Sequence, residues 1–244
     1  MITSPQNEKL KLVRRLRERR HRDREGLFVT EGEDLLAAGL AAGRRPRFLL
    51  SAAGSGLGGE EVGAELLAEV SALGSGTRAI AVWPQCWAEE IKPPCVYMHA
   101  VGDPGNVGAI VRTAGALLGG TVVLGPDCAD PHGPKAVRAS MGAIFAQPLA
   151  RGGVESTAEP RAALVAHGGE DPDALEGCAT ICLGAEREGL PAEVLDHCRR
   201  RVTIPLRAGA AESLNVAAAA AIALERVASA ASISDSSQAS EREI

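Results

Sequence analysis

The chain has 244 residues, 45% of them hydrophobic and 23% charged, with a formal net charge of -5. Those fractions exclude wholesale disorder, and the length suffices for one or two domains with real cores. Three Phe, two Trp and one Tyr are too few for a protein that binds nucleic acid by stacking bases on aromatic platforms.

The charge is uneven. Between Lys9 and Arg24 nine basic residues face only Glu18 and Asp23, a net +7 that leaves -12 elsewhere. An acidic body with one basic arm suggests a polyanion-binding edge, and the plain alternative is a solvated helix face striped by Leu12, Val13 and Leu16. After this helix, Leu27–Thr30 has strand character, Glu33–Ala42 a helical pattern, and Phe48–Leu50 strand character again. A helix over Glu60–Leu73 and a strand over Arg78–Val82 complete a first block, residues 1–91. Lys92-Pro93-Pro94 cannot continue a helix and forms a linker.

The second block, residues 95–228, starts with a strand at Cys95–Ala100. Further strands are expected at Thr121–Leu124, Ala162–Ala166, Thr180–Leu183 and Val202–Ile204, with helical patterns between them. Short apolar strands between helices imply parallel sheets covered on both faces. Residues 229–244 are Ser-rich and polar and are expected to be a disordered tail.

Six cysteines (Cys86, Cys95, Cys128, Cys178, Cys182 and Cys198) form no C-x-x-C pair, so zinc ribbons and thioredoxin-like chemistry lack support. No metal site is expected. The N-terminal residues lack the apolar core of a signal peptide, and the longest apolar run, Val216–Leu224, is about half a bilayer span. These features imply a cytoplasmic protein without membrane association, its thiols serving as small core residues.

Gly54-Ser55-Gly56-Leu57-Gly58-Gly59 imitates a dinucleotide fingerprint, which also needs an acidic residue about 20 positions on. None occurs between Ser71 and Ala88. A flexible loop is the better reading.

Three stretches of the second block carry richer chemistry. In Asp103-Pro104-Gly105-Asn106, Asn106 can cap the following helix, on which Arg112 stands among small apolar residues. A guanidinium there needs an anionic or carbonyl partner. In Leu183-Gly184-Ala185-Glu186-Arg187-Glu188-Gly189-Leu190-Pro191 a buried strand ends in a Gly-rich turn bearing Glu186, before Pro191 opens a helix. The carboxyl ends of parallel strands are where ligands sit in open α/β sheets. The third stretch is Ile204-Pro205-Leu206-Arg207-Ala208-Gly209-Ala210-Ala211-Glu212-Ser213-Leu214-Asn215. Ser213 is expected as its N-cap, with Asn215 assisting, and Ala217–Ala221 would let the helix approach a neighbour closely.

In this order the three stretches resemble the signature motifs of the SpoU/TrmH family of RNA ribose 2'-O-methyltransferases, in the SPOUT superfamily. Leu206 replaces a usual Met. Lys135-Ala136-Val137-Arg138-Ala139-Ser140-Met141-Gly142-Ala143 is also similar, as are Asn7, Lys11 and Phe28-Val29-Thr30-Glu31-Gly32 in the first block. The likeness covers about Thr3 to Val227. Two departures stand out: residues 147–162 are too short for a usual helix of the family, and His99 occupies a position where Leu or Val is common.

The resemblance implies an α/β fold: a C-terminal parallel-sheet SPOUT domain with a trefoil knot, plus a smaller N-terminal α/β (L30e-like) substrate-binding domain. It implies S-adenosyl-L-methionine as cofactor, in a pocket lined by Leu183, Gly184, Ile204, Leu206 and Leu214. Arg112, Asn106, Glu186, Ser213 and Asn215 would form the catalytic set, and Arg14, Arg15, Arg19 and Arg20 would contact RNA. The expected protein is a homodimer that methylates RNA, with 23S ribosomal RNA favoured. The alternatives are a tRNA ribose methyltransferase and a catalytically silent RNA-binding relative.

Overall fold

The computed structural model describes residues 1–72, 76–207, 209 and 212–241, with 231–241 described by backbone alone. It divides into two compact units, Met1–Cys86 with Asp130–Ala146, and Trp87–Ala129 with Gln147–Ile244.

The first unit begins with two helices where the sequence pattern predicts one. Helix α1 spans Glu8–Arg15, with Asn7 Oδ1 accepting from Lys9 N at 2.9 Å, and α2 spans Arg19–Glu25. Arg22 explains the break. Its guanidinium is buried and donates to the carbonyls of Leu16 and Arg17 at 2.8 and 2.7 Å, occupying acceptors that the helix end leaves unpaired. Gly26, at φ +63, closes α2 in the left-handed conformation.

Strand β1 (Leu27–Glu31), helix α3 (Glu33–Ala41) and β2 (Phe48–Ala52) follow near their expected places. The glycine loop 54–59 then runs into a strand, β3 (Glu60–Val62), and only afterwards into α4 (Ala64–Val70). The expected helix over 60–73 is thus shortened at its start, where Val62 is fully buried and pairs with Ala52; Leu73 lies outside the described residues. With β4 (Ala79–Pro84) the sheet order is β1-β4-β2-β3. Only β2 and β3 are parallel, while β4 runs antiparallel to both neighbours. This corrects the expectation of parallel sheets throughout: residues 79–83 are all buried, and a strand covered on both faces has the same apolar pattern in either direction. Leu10, Leu50, Leu67, Val70, Ile80 and Val82 form the core of this unit, each contributing about 1.5–3 kcal/mol of burial.

The second unit contains β5 (Cys95–Met98), α5 (Pro104–Leu117) and β6 (Thr121–Leu124). The chain then gives Asp130–Ala146, with helix α6 (Pro134–Ala139), to the first unit, a transfer that the sequence blocks do not suggest. Two interactions account for it. Arg22 Nε donates to Asp130 Oδ2 at 2.7 Å, and the ring of Phe145 meets that of Trp83 edge-on, with centroids 4.7 Å apart.

Back in the second unit, β7 (Leu149–Arg151), β8 (Arg161–Leu164), β9 (Thr180–Leu183), α7 (Ala192–Leu195), β10 (Arg200–Val202) and α8 (Val216–Glu241) complete the chain. Six strands, all parallel, are ordered β10-β8-β9-β5-β6-β7. A single 3-10 turn, Val154–Ser156, joins β7 to β8, within the stretch that the sequence reading expected to be too short for a helix. Helix α8 packs on α5 and continues through 229–241, where the composition predicts a disordered tail. That stretch contains neither Gly nor Pro to end a helix; residues 242–244 lie outside the described set. Among the described residues no helix is long and apolar enough to cross a membrane.

Candidate active site

The carboxyl ends of β5, β8, β9 and β10 carry the segments that build the site. Two helix caps differ from the sequence expectation. Asp103, not Asn106, caps α5, its Oδ1 accepting from Gly105 N and Asn106 N at 2.7 and 3.1 Å. Asn215, not Ser213, caps α8, its Oδ1 accepting from Ala217 N and Ala218 N at 2.9 and 3.2 Å. Position decides both: the cap must sit two or three residues before the free N–H groups.

Capping frees Asn106 and orients Asn215. With its oxygen on the helix terminus, Asn215 must present its Nδ2, which donates to Asn106 Oδ1 at 3.0 Å. Asn106 then donates through its own Nδ2 to Glu186 Oε1 at 2.8 Å. The amide orientations are fixed by the network, because each amide has one accepting and one donating end. The result is a one-way chain of hydrogen bonds that joins all three sequence stretches and ends on a carboxylate.

Glu186 is carried by a tight loop in which Ala185 and Gly189 exchange backbone hydrogen bonds of 3.1 and 3.0 Å. Gly184 lies against that loop so closely that a Cβ would fall 2.3 Å from the Gly189 carbonyl carbon. Only glycine fits there.

Two cavities meet at this loop. The first, of about 550 Å³, is lined by Leu183, Gly184, Ile204, Leu206 and Leu214 among others, the five residues expected to hold a cofactor. Ser213 also lines it. The second, of about 650 Å³, is lined by Asn106 and Asn215, and Glu186 borders both. Ala100, at φ +53, lines the second cavity at the end of β5, a left-handed conformation that costs a non-glycine residue energy and that clusters at functional sites. Arg112 lines neither cavity; it is exposed on α5 and makes no hydrogen bond or ion pair among the described residues. The partner that the sequence reading demanded for it is therefore not found among those residues.

The proposed RNA-contacting arginines belong to the first unit. Arg14 is bound to Glu69 and to the Pro5 carbonyl, each at 2.9 Å; Arg20 pairs with Glu18 at 2.7 Å and Arg19 with Asp23 at 3.6 Å. Arg15 is exposed. Sequence reasoning missed Asp103, Arg187 and His167 as cavity residues. Asp103 and Arg187 lay inside quoted motifs, and only the strand-end rule pointed towards His167.

Comparison with known proteins adds to this geometry. Residues 93–225 match the SpoU rRNA Methylase family, and residues 7–87 match an MRM3-like substrate binding domain. The chain is 30% identical over 240 residues to the 23S rRNA (guanosine(2553)-2'-O)-methyltransferase RlmP of Bacillus subtilis, covering 91% of this chain and 96% of that one. It is 29% identical to an uncharacterized tRNA/rRNA methyltransferase of Synechocystis, covering 91% of each. An AdoMet-bound rRNA methyltransferase from Sinorhizobium meliloti superposes with a TM-score of 0.78 at 27% identity, covering 92% of this chain and 95% of that one. With more than half of its length in the family match, this chain belongs to the SpoU rRNA methylase family and is an RNA methyltransferase with the SPOUT fold.

Proposed function

We propose that the protein transfers a methyl group from S-adenosyl-L-methionine to a ribose 2'-hydroxyl of RNA, with 23S ribosomal RNA as substrate. The observation that carries this reading is the chain Asn215–Asn106–Glu186, set beside a cavity of cofactor size. RlmP, 30% identical, is named for 2'-O-methylation of 23S ribosomal RNA, and the Sinorhizobium meliloti structure is named as AdoMet-bound. The reading includes the trefoil knot that the family resemblance implies and a cytoplasmic site of action.

The residues fit the cofactor. A volume of about 550 Å³ lies within the usual range for small-molecule sites. Leu183, Ile204, Leu206 and Leu214 offer apolar walls to an adenine, and Gly184 leaves room where any side chain would collide with the loop. Glu186 and Glu212 outnumber Arg187 on the lining and leave it net negative, suited to a cationic ligand. No Gly-rich phosphate cradle is needed for a cofactor without phosphate. When bound, S-adenosyl-L-methionine supplies a methyl group already activated by its sulfonium centre.

The protein must align the 2'-oxygen and help remove its proton. Asn106, Asn215 and Glu186 hold one another in register on the wall of the second cavity, and Ser213 lies on the wall of the first. A guanidinium, with a pKa of roughly 12 or higher, is a poor base. Arg112 is assigned instead to stabilising the developing alkoxide and orienting a phosphate. Its exposed place outside both cavities suits delivery to the site of a second copy, so a homodimer is part of the proposal.

The test is methyl transfer from labelled S-adenosyl-L-methionine to an unmodified 23S ribosomal RNA transcript, with the product mapped by resistance of the adjacent linkage to alkali. Label on a base, or on tRNA alone, overturns the proposed substrate; AdoMet binding without transfer to any RNA favours the silent relative.

A further inference from the structure

Arg187 lines both cavities, a position shared only with Ala185 and Glu186. Its side chain is exposed and makes no hydrogen bond or ion pair among the described residues. Arg161, Arg200 and Arg226 of the same unit are engaged, with Glu159, Glu170 and Asp173; Arg112 is as open as Arg187 but lines neither cavity. Every other charged residue lining the second cavity is acidic, namely Asp103, Glu186 and Glu188.

An RNA strand entering such a cavity brings a negative charge with each nucleotide, and three carboxylates would repel it. A cation is needed there, and a planar guanidinium can bind a phosphate through two parallel hydrogen bonds. The loop beneath Arg187 is held by the paired backbone bonds of Ala185 and Gly189, so the cation is presented from a defined turn. We propose that Arg187 binds an RNA phosphate next to the target nucleotide and thereby sets that nucleotide between the two cavities. This rests on reading the site as that of an RNA methyltransferase, and it makes Arg187 a substrate-binding residue, not a cofactor ligand.

The experiment measures binding of an unmodified 23S ribosomal RNA transcript across a salt series, with S-adenosyl-L-methionine affinity followed separately by calorimetry. Arg187→Ala should raise the RNA Kd about tenfold at fixed ionic strength and flatten the logarithmic salt dependence by about 0.7 for one lost phosphate contact on a single strand. Arg187→Lys should restore the salt dependence but only part of the affinity. Arg200→Gln, which removes one charge from β10 outside both cavities, should change neither. Unchanged RNA affinity and salt dependence in Arg187→Ala overturn the proposal. So does an equal effect of Arg200→Gln, or loss of cofactor binding with RNA affinity retained. Failure of the wild-type protein to transfer a methyl group would overturn the proposed reaction without moving these binding measurements, so the two readings fail separately.

Discussion

Arg22 and Asp130, 108 residues apart in sequence, form an ion pair at 2.7 Å with both side chains only 5% exposed. Asp130 Oδ1 also accepts from His132 N at 2.9 Å, and Arg22 also holds two carbonyls. Removing one partner leaves a buried charge without compensation, which costs about 3–5 kcal/mol. Asp130→Ala should therefore lower the stability of the first unit by that amount in urea denaturation. The double change Arg22→Met with Asp130→Leu should cost less, because no charge is left behind, although the Leu16 and Arg17 carbonyls and His132 N lose their partners. Equal losses would show that these other bonds and packing, not charge pairing, hold the 130–146 segment.

Asn215 serves two structures at once, and Asn106 only one. Asn215→Ala removes both the α8 cap and the bond to Asn106, whereas Asn106→Ala removes only the links between motifs. Loss of an N-cap costs about 0.5–2 kcal/mol. Thermal melting should thus separate the variants, with Asn215→Ala melting lower, while both lose methyl transfer. Equal melting temperatures would mean that Asn215 does not cap α8 in solution.

Gly184→Ala places a methyl group 2.3 Å from the Gly189 carbonyl carbon. Backbone cannot rotate away as a side chain can, so the 185–189 loop must shift, at a cost of about 1–3 kcal/mol. Calorimetry should show S-adenosyl-L-methionine affinity reduced at least tenfold in a protein that remains folded. Unaltered affinity would remove Gly184 from the pocket wall.

Tyr97 is the chain's single tyrosine, which makes its ionisation directly readable by ultraviolet absorbance. Burial pushes its hydroxyl up to about 12 from 10.0, the thiols of Cys128 and Cys182 adding to the shift. A raised folded pKa means that the folded state keeps its proton while the unfolded state loses it. The associated stability is complete below pH 10 and is lost as pH rises from 10 to 12. Tyrosinate absorbance appearing near pH 10 in a still-folded protein would contradict the burial of this ring.

The site was legible in the sequence to the extent that chemistry was concentrated in short runs. Asn106, Glu186 and Asn215 could be named because the three stretches resemble the family's signature motifs; residue chemistry by itself gave only caps for Asn106 and Asn215 and a strand-end turn for Glu186. Their hydrogen-bonded order could not be named, since it depends on which residue caps each helix, and Asp103 and Asn215 took those roles. Strand β7 escaped notice because three residues carry too little periodicity. The break between α1 and α2 depends on Arg22 turning inward, a tertiary event that a run of basic residues conceals. In the same way, the +7 of that run overstates its outward charge, because Lys9, Lys11, Arg14 and Arg22 hold carboxylates outside the run, on Glu60, Glu8, Glu69 and Asp130.

The double duty of Asn215 has a consequence for biosynthesis. Translation delivers the chain from the amino end, so the last strand, β10, ending at Val202, is made before Asn215, and the candidate site is joined only after the strands of both sheets. Only when Ala217 and Ala218 have emerged and coiled into the first turn of α8 does Asn215 acquire the orientation that locks Asn106 onto Glu186. The bond from Asn215 to Asn106 is thus made after the strands are in place, so the order of synthesis sets the order in which the three stretches are joined.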